Sequence, residues 1–162
     1  MTTADVVPGR EEESAHERLN RNLDDVLNEI RVAMPGVQVL FGFLLAVPFQ
    51  DRFEEVTSFQ RGVYFATLLC AGAATACFIA PTAYHRLLFR QGEKERLVFF
   101  ATRAAIAGLA LLALAMSGAV LLVSDVLFGG LASAAAGGGM LGLYVLLWFS
   151  LPLRRRATEE RR

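Results

Sequence analysis

Long apolar runs alternate along the chain with short charged ones, and the alternation predicts helices throughout. Residues 1–13 contain Pro8, Gly9 and Glu11-Glu12-Glu13, have nothing to bury, and are expected to be disordered. At Ser14 the pattern changes. Ser14 and Glu17 have the spacing of a capping box, in which each side chain satisfies a backbone N–H at a helix start. Beyond it Leu19, Leu23, Val26, Leu27, Ile30 and Met34 recur every three or four residues. Arg18, Arg21, Asp24, Asp25, Asn28 and Arg31 fall on the other face. This predicts an amphipathic helix over 14–34 rather than a membrane span. Pro35-Gly36 should bend or restart it, since proline lacks the N–H and disfavours helical geometry in the residue before it.

Four apolar runs follow, over about 33–49, 62–81, 98–123 and 131–153. A helix needs about 20 apolar residues to cross ~30 Å of hydrocarbon. The first run is at the short limit, and a kinked or re-entrant passage is its alternative. Gln38 is its one strongly polar residue. Pro81 is a natural end for the second run. Gln50–Gln60 is a polar connection, Tyr84–Leu97 is a charged and partly helical one broken at Gly92, and Ser124–Gly130 is a short turn. Residues 154–162 form a basic polar tail. The expected fold is all-α, an integral membrane four-helix bundle occupying 33–153 and preceded by an amphipathic cytoplasmic or interfacial helix.

Composition supports this. Apolar residues make up 54% of the 162, and the formal net charge is zero. Fourteen of the sixteen Lys and Arg lie before the first run, between the second and third or at the near border of the third (Arg103), or after the fourth. Arg52 and Arg61 alone fall elsewhere. The positive-inside rule then places both termini in the cytoplasm. A three-span arrangement would misplace several arginines. Nearly all cations are Arg, which reads as bias of the source genome rather than function. No secretory signal is evident, because the first apolar run begins only near Ala33, behind a charged segment.

Candidate chemistry is sparse. No acidic residue lies at mid-span depth, where an ion-coupled transporter usually needs a carboxylate. Asp125 sits at the outer edge and is expected to cap or turn. His16 and His85 cannot pair as haem ligands within a bundle. Cys70 and Cys77 lie about 10 Å apart on one helix face, too far to bridge, and read as small packing residues. No phosphate-cradling loop, zinc cluster or nucleophile elbow occurs. An enzyme is therefore not expected, nor a cofactor, a metal or a nucleic-acid partner. The lipid bilayer is the one partner the pattern requires.

Small residues suggest close helix packing, at Ala101, Ala104, Ala105, Gly108, Ala115 and Gly118 and at Ala66, Cys70, Ala73, Ala74 and Cys77. Gly137-Gly138-Gly139 is a candidate hinge, and one small-residue ridge could serve a homo-oligomer. Two segments suggest more than packing. Tyr84-His85-Arg86-Leu87-Leu88-Phe89-Arg90 joins aromatic and cationic groups, which fits interfacial anchoring or an anionic headgroup site. Glu29, Arg31, Pro35 and Gln38 lie around the expected bend, where a gate or a partner-docking helix would sit.

Several strings resemble a known family. They are Leu27-Asn28-Glu29-Ile30-Arg31-Val32-Ala33-Met34-Pro35-Gly36-Val37-Gln38-Val39-Leu40-Phe41, Val47-Pro48-Phe49-Gln50, Tyr64-Phe65-Ala66-Thr67 and Tyr84-His85-Arg86-Leu87-Leu88-Phe89. Over Leu19 to Phe128 the chain resembles small four-span membrane proteins of high-GC Gram-positive bacteria, classed as a domain of unknown function. The resemblance implies membrane residence and supplies no site residues. Two functions are carried forward. One is a structural, regulatory or partner-binding membrane protein using helix 14–34. The other is a small oligomeric ion or solute transporter lined by Gln38, Arg103 and Asp125.

Overall fold

The computed structural model describes residues 9–88 and 94–151. Among them it is an all-α bundle of four helices, each long and apolar enough to cross a membrane. They are α1 (Gly9–Ala46), α2 (Ser58–Leu88), α3 (Lys94–Leu127) and α4 (Gly130–Tyr144), the last continued by a six-residue π-helical stretch, Val145–Ser150. Two 3-10 turns, Val47–Phe49 and Asp51–Glu55, join α1 to α2. These turns and the α3–α4 turn lie at one end of the bundle, here the hairpin end. The start of α1, the end of α2, the start of α3 and the end of the α4 π-helical stretch lie at the other, the terminal end.

Several local expectations give way to longer helices. Residues 9–13, expected to be disordered, already belong to α1, while residues 1–8 lie outside the described residues. Helix α1 therefore starts before Ser14 and runs without restart through Pro35. Helix α2 likewise continues through Pro81 to Leu88 instead of stopping. A proline removes only one donor from the ladder, and flanking helices can hold the rest of the geometry. For Pro81 the support is visible, because its ring is among the most fully buried side chains of the protein. Helix α4 passes through the glycine triplet at 137–139 as regular helix, and the irregularity comes later, in the π-helical stretch.

The apolar face of the expected amphipathic helix is spent inside the bundle. Ile30 is buried with Val37, Ala74, Phe78, Ala105 and Leu112, and Val26, Ala33 and Met34 pack against that cluster. The α3 small-residue ridge faces α2. A Cβ on Gly108 would stand 2.5 Å from the Phe78 ring, and one on Gly118 would stand 2.2 Å from Thr67 Oγ1. Gly137 of α4 is fitted in the same way against Leu121 of α3. Most of the remaining apolar surface faces outward. Only 11% of the apolar windows of α1 and α4 is buried, against 28% for α2 and α3. Helices surrounded by lipid can leave such surface outside, whereas a water-exposed bundle must cover it.

Candidate ligand cleft at the hairpin end

The hairpin end is built around the start of α2. The Thr57 N–H donates to Gln60 Oε1 at 3.0 Å, and the Gln60 N–H donates to Thr57 Oγ1 at 3.2 Å. This reciprocal pair is a capping box, and it leaves the Gln60 amide N–H₂ free to reach across the bundle. That group donates to Asp125 Oδ2 at 2.9 Å.

Asp125 sits in the last turn of α3, where the helix dipole disfavours a carboxylate and donors must compensate. Ser133 Oγ of α4 lies 3.0 Å from the other oxygen, Oδ1, and 2.8 Å from the Gly130 carbonyl. Its single proton goes to one of these at a time, and the ionised carboxylate is the stronger acceptor. The chain can turn between the two helices because Gly129 and Gly130 take φ of +66° and +54°, and the Gly129 N–H closes onto Asp125 O at 3.0 Å. One carboxylate thus ties α2, α3 and α4 together.

On the other side, α1 is fastened by Tyr64. Within a helix the Leu44 carbonyl would accept from residue 48, but Pro48 has no N–H. The buried Tyr64 hydroxyl donates to Leu44 O instead, at 2.8 Å. Its ring meets Phe53 edge-on at 5.3 Å. Between these fastenings lies an apolar cleft of about 310 Å³, lined by residues such as Leu44, Val47, Tyr64, Ala119 and Leu122. It shares Val47, Phe53, Val56, Gln60 and Val126 with a second cleft of about 460 Å³, whose other lining residues are Gln50, Glu55 and Asp125. Both volumes lie in the range of small-molecule sites, roughly 300–1,000 Å³. Among the described residues the lining of the polar cleft holds two carboxyl groups and two carboxamides and no Lys or Arg; the Arg52 side chain lies outside the described residues. An apolar chamber under an acidic mouth can hold an apolar body with a cationic head, and Phe53 adds an aromatic face for that cation.

The residues singled out in the sequence do not converge. Glu29, Arg31, Pro35 and Gln38 are exposed on α1. At the terminal end Tyr84 stacks on Phe100 at 4.9 Å, and the Arg103 guanidinium lies 4.9 Å over the Phe99 ring. Arg86 is exposed there; the His85 side chain and Arg90 lie outside the described residues. Arg103 and Asp125 are separated by about 33 Å of helix at 1.5 Å per residue, so the suggested lining of Gln38, Arg103 and Asp125 is not assembled within one chain. Asp125 takes part in the turn through its carbonyl, and its carboxylate is in addition the junction of three helices. Gln60, Ser133, Glu55 and Tyr64 were missed. Thr57-x-x-Gln60 could have been read as a cap, yet nothing local reveals that its amide meets Asp125. Both cysteines are free, and among the described residues no three His, Cys, Asp or Glu gather to hold a metal.

Residues 12–152 match DUF6328, a family of unknown function, and the chain belongs to it. No curated protein and no solved structure matches the chain.

Proposed function

We propose that this protein is a non-enzymatic integral protein of the bacterial cytoplasmic membrane, with both termini in the cytoplasm, that binds a small amphiphilic organic cation in its hairpin-end cleft. The observation that carries this is the apolar chamber joined at Gln60 to a mouth whose described lining includes the carboxyl groups of Glu55 and Asp125. Its role is structural or regulatory rather than chemical: the cleft offers positioned acceptors and an apolar wall, and the Ser133 hydroxyl that meets Asp125 is buried between helices. The orientation rests on the skewed distribution of Lys and Arg, which leaves only Arg52 and Arg61 at the hairpin end.

Protein in nanodiscs tests the reading, with tetraphenylphosphonium as cationic probe and a neutral aromatic of similar size as control. The cation should bind saturably and more tightly than the control. Asp125→Asn keeps a group that can meet Gln60 and Ser133 but removes the charge, and should weaken cation binding about tenfold, equivalent to ~1.4 kcal/mol. Equal binding of both probes, or no change in Asp125→Asn, rejects the proposal.

A second reading, the oligomeric transporter, is favoured by Gln38, which stands exposed within an apolar span. Liposomes carrying the protein would then show flux of protons, alkali cations or common anions above empty controls, and absence of flux removes this reading. A partner bound through α1 would meet its charged face, with Glu29 and Arg31, since Val26, Ile30 and Met34 already pack within the bundle.

A further inference from the structure

The outward face of α1 carries a polar group with nothing to bond. Gln38 lies one turn from Phe41, whose ring packs on Gly72 near the middle of α2. It is therefore deep within the apolar part of the bundle. Its carboxamide is exposed and makes no hydrogen bond among the described residues. In hydrocarbon no water reaches such a group, and an unmatched amide there is costly. A carboxamide is both donor and acceptor, so the group that matches it best at equal depth is another carboxamide.

The surroundings of Gln38 fit a second copy. Arg31, Pro35, Gln38, Gly42 and Leu45 are all exposed and follow one another at spacings of four, three, four and three. That is the seam of a left-handed helix pair, in which one polar residue fixes register and copy number. Space is available: a Cβ on Gly42 would meet nothing within 4 Å, so a neighbouring backbone can come close. Arg31 lies at the terminal end of the seam, where its length can carry the charge into water. Helix α4 is as outward-facing as α1, but its open stripe, Gly138 and Gly142, bears no polar group that selects an occupant.

We infer that two copies of this chain pair through this face of α1 about a two-fold axis running along the bundle, with their Gln38 carboxamides hydrogen-bonded to each other. The pairing rests on membrane residence and not on the cleft. All copies insert in one direction, so the two helices run parallel and equal depths meet.

Cysteine cross-linking in native membranes tests this, on a Cys70→Ala, Cys77→Ala background. Gln38→Cys, Gly42→Cys and Leu45→Cys should give an oxidised dimer. Val39→Cys and Phe43→Cys, equally outward but off the seam, should give little. In parallel, mass measurement of intact protein released from nanodiscs should find two chains, and Gln38→Leu should weaken the pair roughly 3- to 20-fold, the range for an interhelical hydrogen bond in a membrane. A monomer, cross-linking as strong off the seam as on it, or a dimer indifferent to Gln38→Leu would each overturn the inference. Recovery of the chain in the soluble fraction without detergent would instead strike at membrane residence itself.

Discussion

The contact between α2 and α3 at Gly118 can be tested with a single methyl group. Gly118→Ala places a Cβ 2.2 Å from Thr67 Oγ1, 3.3 Å from Thr67 Cβ and 3.4 Å from Thr67 Cγ2. The first distance is far inside van der Waals contact. Rotating Thr67 does not clear the space, because its Cβ and methyl are already at the limit, and rotation gives up the 2.7 Å bond from Oγ1 to Val63 O. A β-branched side chain in a helix also has few alternatives at χ1. The two helices must therefore part by a fraction of an ångström along their best-packed contact. Overpacking of this kind costs about 1–3 kcal/mol. The glycine is itself worth up to about 1 kcal/mol less than alanine in a helix, so the net loss is smaller than the strain.

The assay is equilibrium unfolding in mixed micelles, followed by the fluorescence of Trp148, the single tryptophan, which packs against the core cluster around Phe78. Gly118→Ala should be destabilised, and Thr67→Ala should restore most of the loss in the double variant. Thr67→Ser, which retains the hydroxyl, should restore less. A neutral Gly118→Ala, or a double variant whose losses simply add, would refute the close approach of α2 and α3.

Two further substitutions probe the same frame. Tyr64→Phe keeps the ring against Phe53 but strands the buried Leu44 carbonyl, and should cost about 1–3 kcal/mol in the same unfolding assay. Gly139→Ala runs in the opposite direction: its Cβ meets nothing within 4 Å inside an unbroken α4, so stability should rise by ~0.5–1 kcal/mol. If Gly139→Ala is instead destabilising, that face of α4 is covered by something outside the chain.

Hydropathy was enough to find four helices, because the bilayer-length apolar run is a local property of the sequence. The helix ends were less legible, and three of the five prolines, those among the described residues, show why. Pro35, Pro48 and Pro81 remove the same donor, yet only Pro48 ends a helix. Pro81 is held on every side by packing, which no local rule contains. The fate of the amphipathic segment was likewise non-local: Ile30 and Met34 have the right spacing for a surface helix, and the neighbours that absorb them, Ala74, Phe78 and Ala105, come forty or more positions later.

The site was the least legible part, for a reason that bears on how it would work. Asp125 looked like a terminal polar residue because its partners, Gln60 and Ser133, belong to other helices. Those two bonds are the polar links of α2 and α4 to α3 at this end, whereas α1 is held separately through Tyr64. In the proposed function, a cation entering beside Glu55 would compete with Gln60 and Ser133 for the same carboxylate. Its binding would loosen the three-helix junction while leaving α1 fastened, and the hairpin end is thus where a bound ligand can change how the helices meet.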